Sequence, residues 1–162
     1  MVAREQSISF RVPGAAWRLL IPADCLAFLT KHAQTSISKR EVVGQLFSRD
    51  LISKVVSVDL ITILPSRWSS YTGVTYDSRA AMAERESLFR DGLHCIGFWH
   101  SHPECVPHLS ATDLRMAADH ALASKNVFAC LVFAIVGTAS PPGGLGMWLH
   151  DGYSAWSMIS EV

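Results

Sequence analysis

Residues 93–113 have the sequence LHCIGFWHSHPECVPHLSATD, in which an apolar segment leads directly into two histidines. The apolar part, 93–100, has the composition of a buried β-strand. Side chains two residues apart on an extended segment point to the same face, so we expect His100 and His102 to project together. Pro103 disfavours helical backbone angles at His102 and so favours an extended chain there. This stretch therefore predicts a strand that presents two imidazoles side by side.

Asp113 is the candidate for a third ligand beside the two imidazoles. Residues 110–113, Ser-Ala-Thr-Asp, resemble a capping box at the start of a helix predicted over 110–124. Asp113 would then lie in the first turn, where the helix dipole stabilises a carboxylate. Two imidazoles and one carboxylate with an open fourth position suit a catalytic zinc, although manganese and iron accept the same ligand types.

The rest of the chain predicts a mixed α/β (α+β) fold with several strands around two or three helices. Strands are predicted at 7–12, 41–47, 54–64, 127–137, 145–150 and 153–159, the last two as a hairpin through Asp151 and Gly152. Helices are predicted from Pro22 to about His32, with Asp24 as a possible cap, and over 77–90, with Gly92 ending the helix. Residues 65–76 are predicted to form a loop, since they contain Gly73 and several serines.

Composition limits the function classes. With 162 residues, 49% of them hydrophobic and 17% charged, the chain predicts one compact domain over 1–162. The zero net charge, with scattered Lys and Arg, argues against a nucleic-acid partner. The first ten residues resemble no signal peptide, and the longest apolar run, 127–136, is too short to cross a membrane. The four cysteines form no C-x-x-C pair and are expected to be thiols, so we expect a cytoplasmic protein.

The spacing of the site residues resembles the signature of the JAMM metalloproteases, also called JAB or MPN+. His100-Ser101-His102-Pro103, six residues, Ser110, two residues and Asp113 match H-[ST]-H-P-x6-S-x2-D, and 41–46, EVVGQL, match the upstream E-x-x-G-x-L. The resemblance implies the cytidine-deaminase-like JAB/MPN fold, a mixed central sheet flanked by two to three helices. It also implies one Zn²⁺ per chain, held by His100, His102 and Asp113. Glu41 would act as general base, and Ser110 would donate a hydrogen bond to the oxyanion.

The same resemblance implies a class of substrate. The family hydrolyses bonds near the C-terminus of ubiquitin or a ubiquitin-like protein. A free-standing domain looks like the bacterial branch, in particular the JAB proteases of CBASS-type anti-phage operons, which remove a protein conjugated through a ubiquitin-like transfer pathway. The expected partner is a ubiquitin-like protein or the tail of a conjugated protein such as a cGAS-like nucleotidyltransferase, with no nucleic acid and no membrane. Processing of a sulfur-carrier β-grasp protein and a non-catalytic MPN-type interaction module are the alternatives.

Several neighbouring residues have simpler structural interpretations. Cys105 and His108 lie in the metal loop; larger relatives bind a second zinc with an insertion that this chain lacks, so both are expected to be loop residues. Ser101 is expected to be a structural spacer, and Trp99 is expected to pack in the core on the face opposite the histidines. Outside this loop, three aromatic residues are interpreted either as loop anchors or as substrate contacts: Trp68, Tyr71 and Tyr76. His120, on the predicted helix, is expected to be a surface or packing residue.

Overall fold

The computed structural model describes residues 6–69 and 74–161, and these residues form three helices and twelve strands. The helices are α1 (Ala23–Lys31), α2 (Ser78–Arg90) and α3 (Ala111–Ala123). One sheet has the order β12-β1-β2-β4 and comprises β1 (Ile8–Arg11), β2 (Arg18–Ile21), β4 (Val55–Ser57) and β12 (Ile159–Glu161). Two strands, β6 (Ser66–Ser69) and β7 (Val74–Tyr76), pair with each other.

The largest sheet has six strands and carries the histidines. Its order is β11-β10-β9-β8-β3-β5, and its members are β3 (Val43–Ser48), β5 (Leu60–Ile61), β8 (His94–Ser101), β9 (Leu131–Val136), β10 (Leu145–His150) and β11 (Ala155–Ser157). β8 lies in the middle, antiparallel to β3 and parallel to β9, and α3 makes the connection between the two parallel strands. Every residue of β3 and β9 is buried. This fits the continuous apolar sequence of β9, whereas β3 also buries the polar Gln45 and Ser48.

Trp99 fixes β8 to the rest of the core. Its side chain is fully buried, and its ring lies 6.2 Å from Phe28 and 6.0 Å from His32 at the end of α1. Its indole N–H donates to the carbonyl of Thr62 at 2.8 Å. The strand alternation sends Trp99 to the opposite side from its neighbour His100, so the prediction for Trp99 is confirmed.

The predicted fold class is confirmed, and most predicted elements are found with ends shifted by a few residues. A mixed central sheet is flanked by three helices, and the helices over 77–90 and 110–124 correspond to α2 and α3. Asp77 caps α2, and Gly92 follows the helix with a positive φ of 76°, a conformation that favours glycine. The antiparallel pair of β10 and β11 confirms the predicted hairpin through Asp151 and Gly152.

One predicted strand, 54–64, is wrong because the chain changes sheets within it. β4 pairs with β2 in the four-stranded sheet, whereas β5 pairs with β3 in the six-stranded sheet. The backbone N–H of Val58 still donates to Leu20, and the next N–H, from Asp59, donates to Phe47. The change of sheet is not visible in the sequence, because Val and Ile residues continue through it and both halves of the segment pack against apolar surfaces.

Other sequence predictions also need correction. Within the loop predicted over 65–76, the described residues 66–69 and 74–76 form the paired strands β6 and β7, and the short strand β2 was not predicted. The strand predicted over 153–159 is divided, since β11 ends at Ser157 and β12 joins the other sheet beside β1. Asp24 is not the cap of α1: Pro22 occupies that position, and the Asp24 carboxylate accepts from the N–H of Cys25. Hairpin pairing and sheet switching depend on distant partners, which local composition does not reveal.

Gly44 is required by the close packing of β3 against its neighbours. A Cβ atom at this position would overlap the Thr62 carbonyl oxygen and the Trp99 indole nitrogen. We therefore expect Gly44→Ala to lower the free energy of unfolding by about 2–3 kcal/mol, as overpacked core substitutions do. Urea unfolding followed by tryptophan fluorescence measures it. Gly143→Ala is the control, since the nearest atom to its added Cβ is 3.8 Å away; a Gly44→Ala variant as stable as this control would contradict the packing argument.

Candidate metal centre

The two histidines meet at the end of β8, as their spacing predicted. Their Nε2 atoms are 3.0 Å apart, and the ring centroids are separated by 4.7 Å. His100 is buried, and only 14% of the His102 side chain is exposed. Two imidazole nitrogens at this separation, turned towards one another, form a chelating pair.

The first turn of α3 holds Asp113 against this pair. Ser110 is the helix cap: its hydroxyl accepts from the N–H of Asp113 at 3.0 Å, and its own N–H donates to Asp113 Oδ2 at 2.8 Å. These reciprocal bonds confirm the predicted capping box. Asp113 Oδ1 lies 3.1 Å from His100 Nε2, and Oδ2 lies 3.8 Å from His102 Nε2. The cap thus fixes the orientation of the carboxylate towards both imidazoles.

Glu41 reaches the same place from the start of the neighbouring strand. It precedes β3, which begins two residues later than predicted, and its Oε1 lies 3.9 Å from His102 Nε2. Ser101 connects this segment to β8: its hydroxyl accepts from the N–H of Val42 and its N–H donates to the Val42 carbonyl, both at 2.9 Å. The structural role expected for Ser101 is confirmed.

These donors form a group that can hold a metal ion. Glu41, His100 and His102 each offer one ligand atom, and the three atoms lie within 4.8 Å of one another. Asp113 faces the two imidazole nitrogens as well. Glu41 and Asp113 are both buried, and burying two carboxylates is costly unless positive charge compensates. A divalent cation would supply that charge, and the nitrogen and oxygen donors suit zinc.

Burial also shapes the protonation of these groups. It raises the pKa of Glu41 to about 7, and it lowers the pKa of His102, which favours the neutral imidazole that metals bind. Burial alone would raise the pKa of Asp113, but hydrogen bonds from His100 and Ser110 outweigh it and hold that pKa well below its usual range. The pocket therefore contains one carboxyl group that exchanges protons near neutrality and one that stays ionised.

The walls of this pocket, about 390 Å³ in volume, include residues that the sequence did not single out. Thr112 and Met116 lie near Asp113 on α3. Met116 follows Asp113 by three residues, a helical spacing that could have identified it, whereas the adjacent Thr112 has no such signal. Tyr76, which the sequence did single out as a loop anchor or a substrate contact, lines the pocket as well, and its hydroxyl lies 2.6 Å from His120 Nε2. His120 stacks on Phe98 at 4.2 Å and is therefore a packing residue.

The remaining candidates fall in the loop after the histidines and in the segment around β6. Among the described residues, neither Cys105 nor His108 belongs to the group of potential metal ligands; Cys105 is exposed, and 82% of the His108 side chain is exposed. Trp68 is 56% exposed on β6. Tyr71 lies outside the described residues.

The capping box predicts a specific effect of substitution at Ser110. Ser110→Ala removes the side-chain acceptor for the Asp113 N–H, and we expect it to lower the free energy of unfolding by about 1 kcal/mol. Ser110→Thr keeps the hydroxyl and should stay much closer to the wild type. Thermal unfolding of the three proteins without added metal measures the difference, and equal stability of the Ala and Thr variants would refute the capping role.

The chain resembles known proteins in sequence and in fold. The model of a family described as prokaryotic homologs of the JAB domain matches residues 22–150. A protein of Desulfitobacterium hafniense with a known solution structure is 20% identical, with a TM-score of 0.62, over 87% of this chain and 88% of that one.

A protein of Salinibacter ruber is 22% identical, with a TM-score of 0.53, over 88% of both chains. At these identities the two structures support the shared fold alone. No curated protein matches the chain. No helix in the described part of the chain is long and apolar enough to span a membrane. Because the family model covers most of the sequence and includes the histidines and Asp113, the chain belongs to the family of prokaryotic JAB-domain proteins.

Proposed function

We propose that this chain is a zinc-dependent peptidase and isopeptidase, with zinc held by His100, His102 and Asp113. The observation that carries the proposal is the convergence of two imidazoles and two carboxylates in one buried pocket. Glu41 is the general base in this scheme, and Ser110 stabilises the oxyanion. Zinc held by His100, His102 and Asp113 would have three protein ligands, the number that catalytic zinc sites use when the fourth position is kept for water or substrate.

Asp113 is the better third ligand of the two carboxylates. It approaches both imidazole nitrogens, at 3.1 and 3.8 Å, whereas Glu41 approaches His102 at 3.9 Å. Its orientation is also fixed by hydrogen bonds from Ser110, the kind of outer contact that orients metal ligands. Glu41 is then left to exchange protons.

The chain's own residues supply the proton transfers. When bound, zinc would provide the Lewis acidity that polarises a carbonyl and activates water. Glu41 accepts the proton of the water that attacks the carbonyl carbon, and it returns a proton to the amine nitrogen as the C–N bond breaks. The Ser110 hydroxyl, which donates to Asp113 Oδ2 at 2.6 Å, would have to rotate towards the pocket to donate to the oxyanion.

The proposed substrate is the C-terminal tail of a ubiquitin-like protein, or a protein conjugated through such a tail. This step rests on the JAB family membership and on the JAMM motif, not on a contact within the pocket. We propose a deconjugating role in bacterial anti-phage defence, with a conjugated protein such as a cGAS-like nucleotidyltransferase as a partner. The four free thiols fit a reducing compartment such as the cytoplasm. Maturation of a sulfur-carrier protein would use the same centre.

Two isosteric substitutions distinguish the ligand from the base. Glu41→Gln should keep about one zinc per chain and lose turnover by at least about 100-fold, because it removes the proton acceptor. Asp113→Asn should lose both zinc and turnover, since two imidazoles alone form a poor site. Zinc content by elemental analysis and cleavage of a tail fusion are the two readouts.

Asp119→Asn is the matched control for these substitutions, because Asp119 is exposed on the same helix. It should leave zinc content and turnover unchanged. Zinc retained by Asp113→Asn but lost by Glu41→Gln would reverse the two roles. Full zinc content in both variants would rule out either carboxylate as an essential ligand.

Cleavage itself is tested with bacterial ubiquitin-like proteins fused through their tails to a fluorescent protein. We expect the wild-type protein to release the fluorescent protein at the end of the tail, with mass spectrometry locating the cut. Glu41→Gln and chelator-treated wild type should leave the fusion intact. Binding of the fusion without cleavage, by zinc-loaded wild type, would instead support a non-catalytic interaction module.

A further inference from the structure

An apolar pocket of about 370 Å³ lies between the four-stranded and six-stranded sheets, at a distance from the metal centre. Its buried walls come from strands of both sheets and are aliphatic: Leu19, Val56, Ile96, Val132 and Leu149. Ile96 and His100 are four residues apart on β8, which corresponds to about 13 Å of strand. The apolar pocket is therefore a feature separate from the metal site.

A turn over residues 50–53 presents an exposed isoleucine at the mouth of this pocket. Ile52 is 97% exposed, the highest value among the large hydrophobic side chains that the structure describes, and it is one of the lining residues. Asp50 Oδ1 accepts from the N–H groups of Ile52 and Ser53 at 3.0 and 3.1 Å. The Ser53 hydroxyl accepts from Val55, and Ser48 donates to the Asp50 carbonyl, both at 3.2 Å. Side-chain hydrogen bonds thus fix the turn while its apolar side chain stays in water.

The exposed side chain and the open pocket can complement each other between two copies of the chain. A single exposed apolar residue is common on protein surfaces, but Ile52 lies directly beside an unfilled apolar pocket. In a dimer with twofold symmetry the same patch of each copy meets itself, so a patch that carries both a knob and a hole can be self-complementary. Insertion of Ile52 would remove apolar surface of both copies from water.

The charges around Ile52 fit the same symmetry. Asp50 and Lys54 are both exposed and lie two residues before and two residues after Ile52. When two such turns pass each other in antiparallel directions, Asp50 of each copy faces Lys54 of the other. Parallel turns would instead place like charges together, which is unfavourable. Of the described residues that line the pocket, only Lys54 is charged, so the pocket itself contains no charge that opposes the insertion.

We propose that this face is the interface of a homodimer, in which Ile52 of each copy inserts into the apolar pocket of the other. Half-buried Trp17 and Phe128, which line the pocket, would close around the inserted side chain. The metal pockets lie at the other end of β8 and stay open in this arrangement. The dimer therefore does not depend on catalysis, and a failure of one leaves the other standing.

Sedimentation velocity of the purified chain tests the dimer. The buffer contains a reductant and a chelator, so that neither the exposed Cys105 nor a bridging metal links two copies. We expect the wild type to change from monomer to dimer between about 5 and 500 μM, the range of a small transient interface. Ile52→Asp should weaken the association at least about 100-fold, because each dimer loses two buried isoleucines.

Ile37→Asp is the matched control, because Ile37 is 83% exposed, does not line the pocket, and undergoes the same change of charge. It should associate as the wild type does. A wild type that stays monomeric over this range, an oligomer larger than the dimer, or equal weakening by the two variants would overturn the proposal.

The pocket is tested from its other side with Ala16→Arg, since Ala16 is exposed and lines the pocket. The long side chain should block the mouth and weaken self-association. An equimolar mixture with Ile52→Asp restores one isoleucine and one open pocket per pair, and it places the new carboxylate opposite the new guanidinium. We expect association in the mixture to be at least about tenfold stronger than for either variant alone. A mixture no more associated than its components would contradict the exchange of isoleucines.

Discussion

Two imidazoles and two carboxylates share one buried pocket, and the surrounding elements hold these groups in fixed positions. Each carboxylate comes from a different element, with Glu41 before β3 and Asp113 in the first turn of α3. Hydrogen bonds from Ser110 hold the Asp113 carboxylate, and hydrogen bonds between Ser101 and Val42 hold the backbone next to Glu41. Removing such groups from water is favourable only with compensation, which a bound cation would complete.

The core sets the position of the histidines through the alternation of β8. Trp99 points inwards and is fixed by α1 and by its bond to Thr62, so the adjacent His100 must point to the other face. The glycine in β3 opposite Trp99 permits this close approach, which gives Gly44 in the E-x-x-G-x-L pattern a packing explanation. The same strand pairing aligns Val43 with His100 and so brings Glu41 near the metal pocket. The packing of Trp99 in the core and the geometry of the metal pocket thus both depend on the register between β3 and β8.

Local spacing was enough to predict part of this arrangement. The histidine pair follows from the two-residue strand repeat, and the position of Asp113 follows from a capping box four residues long. The approach of Glu41 could not be worked out from local pattern, since it depends on the register between two strands that are distant in sequence, and only the family resemblance indicated it. The change of sheet near Val58 and the β6–β7 hairpin escaped prediction for a related reason. Both depend on which distant strand supplies the hydrogen bonds.

X-ray absorption spectroscopy at the zinc edge, on protein loaded with one equivalent of zinc, identifies the ligand atoms of the metal centre. We expect a first shell of nitrogen and oxygen atoms only, at about 2.0–2.2 Å, with the multiple-scattering signal of two imidazoles. A sulfur neighbour at about 2.3 Å would contradict it, because it would place a cysteine such as Cys105 in the metal centre. A shell without imidazole scattering would contradict it as well, since His100 and His102 could not then be the ligands.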